Sequence, residues 1–211
     1  MLTIKSACGI DLSNKKIVLS VSRLVPKKGI KEFIENVMVD ISKDVMNSLF
    51  LIAGDGPEMT KIKKLINALG LENKVFLAGC IKHNSAIYNA FFCVADVFIM
   101  PNVKRDDDAE GFGIVALEAG IRGVPVVAYD VDGIGEAIHN GENGILVTSG
   151  DIVSFKNQIL RFFKNSLLKH EYNEKTKKYV TDNFGWDKII KKYMEQYSEL
   201  LNHNQQASSR K

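Results

Sequence analysis

The sequence predicts an α/β fold, a parallel sheet with helices on both faces followed by helices alone. Three observations carry this. Short apolar runs alternate with amphipathic stretches. The runs are continuous instead of alternating in polarity, as strands covered on both faces require. Each interval between runs is long enough for a crossover helix. With 211 residues and 45% apolar content, the chain can bury one sizeable core.

The strand candidates are Ile17–Val21, Leu49–Ala53, Val75–Ala78, Val97–Met100, Val126–Ala128 and Ile145–Val147, each an apolar run bounded by polar or glycine-containing segments. Lys31–Val45, Met59–Leu69 and Ser85–Ala95 place apolar residues at helical spacing, and Gly70 stands where a C-cap glycine belongs. A further helix is expected to begin after the loop Glu110-Gly111-Phe112-Gly113 and to carry Glu118. Beyond Gly150 the strand pattern stops, and helices are expected from about Ile152, Leu167 and Trp186. One domain, residues 1–201, is therefore expected. The polar segment Asn202–Lys211 is read as a disordered tail.

Composition narrows the function classes. The sequence contains no run of about twenty apolar residues, and Met1-Leu2-Thr3-Ile4-Lys5 does not read as a signal peptide, so a cytoplasmic protein is expected. Cys8, Cys80 and Cys93 are odd in number and lack Cys-x-x-Cys spacing, which argues against a disulfide framework and a zinc site. His83, His139, His170 and His203 show no ligand spacing either. The net charge of +3 is uneven: residues 161–211 hold 11 Lys and Arg against 6 Asp and Glu, and the rest of the chain holds 17 against 19. This basic C-terminal part suits peripheral association with the inner face of a membrane, although a solvated helix face accounts for the same charges. Nucleic acid is not an expected partner. No Gly-x-Gly-x-x-Gly follows the first strand and no Gly-Lys-Ser or Gly-Lys-Thr is present, so dinucleotide and P-loop readings lack their defining residues.

Two segments suggest chemistry. In Glu110-Gly111-Phe112-Gly113-Ile114-Val115-Ala116-Leu117-Glu118, two carboxylates bracket a glycine-flanked turn into a helix. Such a turn offers backbone N–H groups to an anion and carboxylates to hydroxyl donors. An ordinary helix start accounts for these residues equally well. Near the N-terminus, Arg23 and Lys28 follow the first strand. In an open parallel sheet, ligands bind outside the carboxyl ends of the strands, which would place both cations in the crevice that holds the anion turn. Taken alone, the pair reads as a solvated basic loop. Asp106-Asp107-Asp108 reads as an exposed acidic loop, a better account than a Mg²⁺ site.

An ordered series of motifs joins these pieces: Ser22-Arg23-Leu24 with Lys27-Lys28-Gly29, Gly54-Asp55-Gly56-Pro57, Ala95-Asp96-Val97-Phe98-Ile99-Met100-Pro101, Glu110-Gly111-Phe112-Gly113 with Glu118-Ala119, Gly123-Val124-Pro125-Val126-Val127-Ala128, Gly141-Glu142-Asn143-Gly144-Ile145-Leu146-Val147 and Phe184-Gly185-Trp186-Asp187. In this order they resemble the C-terminal, donor-binding domain of a family-4 retaining glycosyltransferase (glycosyl transferases group 1) of GT-B fold. The resemblance implies a Rossmann-like half of that fold, a nucleotide-sugar (NDP-sugar) donor as substrate, and no cofactor or obligatory metal. It implies that Arg23 and Lys28 hold the diphosphate and that Glu110 meets a donor-sugar hydroxyl. The backbone of Phe112, Gly113, Ile114 and Val115 would bind phosphate, Glu118 the ribose diol, and the backbone near Ile81 the base. It also implies retention by front-face attack and a partner in cis or trans, the N-terminal acceptor domain. Ser22 stands where glycine is usual, and Asp132 and Gly135 depart from the usual Gly-Gly-Ile-Pro. A homodimer through the apolar surfaces of the last helices is expected. Donor binding lost on Arg23→Ala or Glu118→Ala is expected at nearly unchanged thermal stability. The alternative is a non-catalytic nucleotide-sugar-binding or interaction module.

Overall fold

The computed structural model describes residues 4–5, 9–105 and 111–208, the last seven of these by backbone alone. Six parallel strands form one sheet in the order β3-β2-β1-β4-β5-β6. They are β1 (Lys16–Val21), β2 (Ser48–Ala53), β3 (Val75–Gly79), β4 (Val97–Met100), β5 (Val126–Asp130) and β6 (Gly144–Thr148). Every expected strand is present, extended by a residue or two where pairing continues past the apolar run. β2 and β4 are buried throughout, which explains their unbroken apolar sequence.

The helices are α1 (residues 30–44), α2 (Met59–Ala68), α3 (Ala86–Val94), α4 (Ile114–Ile121), α5 (Ile134–Ala137), α6 (Ile152–Lys164), α7 (Ser166–Phe184) and α8 (Trp186–Ser208). α1 is not a uniform α-helix: a π-helical segment, Ile34–Met38, interrupts it and keeps Ile34, Val37 and Met38 buried. α8 runs past Leu201 through most of the segment read as a disordered tail, since neither Gly nor Pro interrupts Asn202–Ser208. Among the described residues, no helix is long and apolar enough to cross a membrane.

One face of the sheet is sealed by α1 and α6, with Phe33 edge-on to Phe50 at 4.8 Å and Tyr129 against Phe155 at 4.4 Å. On the other face Phe92 of α3 stacks on Phe98 of β4 at 5.8 Å. α4 packs closely on α7 because Gly120 has no side chain; a Cβ there would stand 2.7 Å from Val180 Cγ2.

The ends of the central strands opposite the crevice are pinned by charge. Ile17 N–H donates to Asp96 Oδ2 at 2.7 Å, and Lys169 Nζ of α7 donates to Asp96 Oδ1 at 2.6 Å. Asp96 is 7% exposed, so its carboxylate depends on these partners. Asp96→Ala is expected to cost about 2–3 kcal/mol, below the full cost of breaking a buried pair because Lys169 can turn to water. Urea unfolding measures this, and ligand affinity should be untouched, since Asp96 precedes β4 and the crevice lies beyond the opposite strand ends.

Candidate active site

β1 lies between β2 and β4, so the chain order reverses at the β1–β4 pair, and a crevice opens there beyond the carboxyl ends of the strands. Beyond β1, Ser22 N–H donates to Ala53 O at 3.0 Å and Leu24 N–H to Asp55 O at 2.8 Å. These bonds carry the β1–β2 contact past both strands and present Arg23 on the crevice wall. A cavity of about 400 Å³ lies there, lined in part by Ser22, Arg23, Gly54, Ile81, His83 and Tyr88.

Lys28 closes a short 3-10 turn, Pro26–Lys28, ended by Gly29 in the left-handed conformation. Val103 N–H donates to Lys27 O at 2.9 Å, which fastens this turn to the segment after β4. Lys28 lines a second, much smaller cavity with Ser22, Met100, Asn102 and Val115, among others. Ser22 and Val21 border both cavities, so Arg23 and Lys28 flank one point on the crevice floor. The Ser22 hydroxyl is buried there without a hydrogen-bond partner among the described residues.

α4 enters the crevice by its N-terminus. Its N-cap, Gly113, has φ 75° and carries no side chain, so the first-turn amides receive no cap from the N-cap residue. Val115 reaches the Lys28 cavity, Ile114 is 66% exposed, and Phe112 packs edge-on against Phe184 at 5.6 Å. Glu110 lies outside the described residues, as does the Asp106-Asp107-Asp108 run. In the β5–α5 loop, Asp132 adopts φ 48°, a conformation in which the glycine of the usual motif is at ease.

Glu118 is not a free surface carboxylate. His83 Nε2 lies 2.7 Å from its Oε1, and the Tyr88 hydroxyl donates to its Oε2. Burial first, and the bond to Glu118 second, push the Tyr88 phenol well above its ordinary pKa. Against the expectation above, Glu118→Ala should therefore cost stability, because the substitution strips the hydroxyl of the buried Tyr88 of its acceptor. Arg122 reinforces the contact: one guanidinium nitrogen donates to the Glu118 carbonyl at 2.8 Å and the other to Asn89 Oδ1 at 2.6 Å, and the group lies 4.9 Å from the Phe92 ring centre.

The structure thus gathers Arg23, Ile81 and the two partners of Glu118 around one cavity, with Lys28 and Val115 in the adjoining one. Sequence reasoning missed His83 and Tyr88. A tyrosine in the apolar pattern of α3 is a signal that its hydroxyl needs a buried partner, but the partner lies thirty residues away on another helix. Among the described residues, no group of three or more His, Cys, Asp or Glu is placed to hold a metal ion.

A parallel sheet whose chain order reverses at its centre, with a crevice at that switch point, defines a Rossmann-like domain. The chain belongs to the family described as glycosyl transferases group 1, which it matches over residues 10–179. It is 35% identical over 192 residues to the exopolysaccharide phosphotransferase SCO2592 of Streptomyces coelicolor, covering 90% of this chain and 19% of that protein. It is 30% identical over 190 residues to the uncharacterized glycosyltransferase MJ1069 of Methanocaldococcus jannaschii, covering 90% of this chain and 46% of that one. Among solved structures, a mutant of Staphylococcus aureus TarM, in complex with fondaparinux, alpha-GlcNAc-glycerol and UDP, superposes with a TM-score of 0.75. That match has 27% identity and covers 88% of this chain and 37% of TarM. The chain thus spans half or less of the length of these relatives, and its fold is one half of a GT-B enzyme.

Proposed function

We propose that this chain is the nucleotide-sugar-binding half of a retaining glycosyltransferase, which transfers a sugar to a glycan or lipid-linked acceptor together with an N-terminal acceptor domain. The observation that carries this reading is the crevice itself: Arg23 borders one cavity with Ile81 and the two partners of Glu118, and Lys28 borders the adjoining one with Val115 from the first turn of α4. Cations and amides suit a diphosphate, and a carboxylate suits the hydroxyl donors of a ribose. As the glycosidic bond breaks, negative charge builds on the leaving diphosphate. Arg23 and Lys28 would stabilise that charge where it develops, without an obligatory metal. The freed phosphate oxygen, held on the sugar face from which the acceptor approaches, would take the acceptor's proton, and the configuration is kept. Glu110 is assigned to a donor-sugar hydroxyl.

Two further observations support a partner domain. The glycosyltransferase relatives are longer than this chain, as given above. α8 also presents Trp186, Ile190, Tyr193, Met194, Tyr197 and Leu201, each more than half exposed, at helical spacing on one side. Such a stripe fits a covering surface, either the remaining half of the enzyme or a second copy of this chain.

Calorimetric titration of the chain with UDP, GDP, ADP and their sugar conjugates tests the reading. Saturable binding of one base series is the expected result, followed by sugar transfer once the N-terminal half is supplied. Binding without transfer under any pairing supports the non-catalytic module instead, and no binding to any of these ligands overturns the donor-site reading.

A further inference from the structure

We propose that Tyr88 is a positioning residue for ribose recognition: it fixes Glu118 Oε2 so that the carboxylate stays turned into the crevice, and the ribose hydroxyls of a nucleoside diphosphate engage the acceptor positions that His83 now covers. This rests on the donor-site reading above and adds the device that makes Glu118 competent. A glutamate on a helix face has several rotamers, and ordering one costs up to about 2 kcal/mol. A carboxylate held beforehand binds a diol without that cost. Tyr88 supplies the hold. Its elevated pKa keeps the phenol protonated, hence a permanent donor, across the physiological range.

Tyr88 is itself immobilised. Ser85 caps α3 by accepting the Tyr88 N–H at 3.3 Å, and the ring packs against Phe92 at 5.2 Å. Arg122 ties the Glu118 carbonyl to Asn89 on α3, so the backbones that carry the two partners are held together as well. His83 is of a different kind: its side chain is 60% exposed, against 23% for Glu118, and its ring leans on Tyr88 at 5.0 Å from the cavity rim. An exposed pair of this sort is worth little and is readily exchanged. A carboxylate has about four acceptor positions, of which Tyr88 and His83 occupy two, so a diol finds room once His83 swings aside.

The test compares the best-binding of UDP, GDP and ADP with its 2′-deoxy counterpart on the wild-type chain, on Tyr88→Phe and on His83→Ala. Wild type should bind the 2′-deoxy form about tenfold more weakly, the loss of one hydrogen bond to a charged group. In Tyr88→Phe the ribo form should weaken until the two differ by about twofold, a narrowing that a merely structural role would not produce. His83→Ala should keep the wild-type ratio. An unchanged ratio in Tyr88→Phe overturns the assignment while leaving Glu118 as the ribose ligand. Equal binding of both sugars by wild type, with Glu118→Gln also without effect, overturns the ribose reading and this inference together.

Discussion

Gly29→Ala is expected to destabilise the fold by about 3 kcal/mol or more and to displace Lys28 with it. Gly29 has φ 63°, and an L-residue in this region costs about 1–2 kcal/mol before any contact is counted. The added Cβ would lie 1.8 Å from Pro101 O and 2.9 Å from its carbonyl carbon. Both are backbone atoms, so no side chain can turn aside, and the segment after β4 must separate from the Pro26–Lys28 turn. That separation strains the bond from Val103 N–H to Lys27 O and the first bond of α1, from Phe33 N–H to Gly29 O at 2.9 Å. Overpacking of this kind adds about 1–3 kcal/mol. For a domain of this size the sum corresponds to a thermal midpoint lowered by roughly 6–12 °C. A loss under about 1 kcal/mol would mean that the two loops part freely, and the rigid placement of Lys28 beside α4 would have to be abandoned.

The same geometry shows why some of the molecule was legible in the sequence and some was not. Strands such as Val97–Met100 announce themselves because a strand buried on both faces must be apolar at every position. Arg23 and Lys28 are legible as cations beyond a buried strand, and the order of the motifs carries the family resemblance. Their separation into two adjoining cavities is not legible, because it depends on the left-handed turn at Gly29 and on how far β4 extends. The π-helical segment in α1 leaves no mark on the apolar spacing of Lys31–Val45. The grip on Glu118 is also hidden: His83 sits in a loop, Tyr88 looks like one more apolar helix position, and neither spacing predicts a shared carboxylate. Asp96 and Lys169 meet across 73 residues for the same reason, since only the packing of α7 brings the lysine beneath β1.

Arg23→Ala is expected to weaken nucleoside diphosphate binding by roughly 10- to 100-fold, the worth of a charge-assisted, two-donor contact to phosphate of about 1.5–3 kcal/mol. Stability should change by no more than about 0.5 kcal/mol, because Arg23 is exposed and makes no ion pair with any described residue, so its removal orphans nothing. This separates it from Glu118, whose loss disturbs Tyr88. In a transferase reconstituted with its acceptor half, kcat should fall by about 10²- to 10³-fold, more than binding does, because the charge opposite Arg23 grows as the bond breaks. Arg23→Lys keeps the charge but not the planar fork and should fall between the two. Rising salt should erode the wild-type affinity more than that of the alanine variant, since a screened cation contributes less where it is present and nothing where it is absent. Equal affinities for wild type and Arg23→Ala at low salt would remove Arg23 from the diphosphate site and leave Lys28 and the α4 amides to account for anion binding alone.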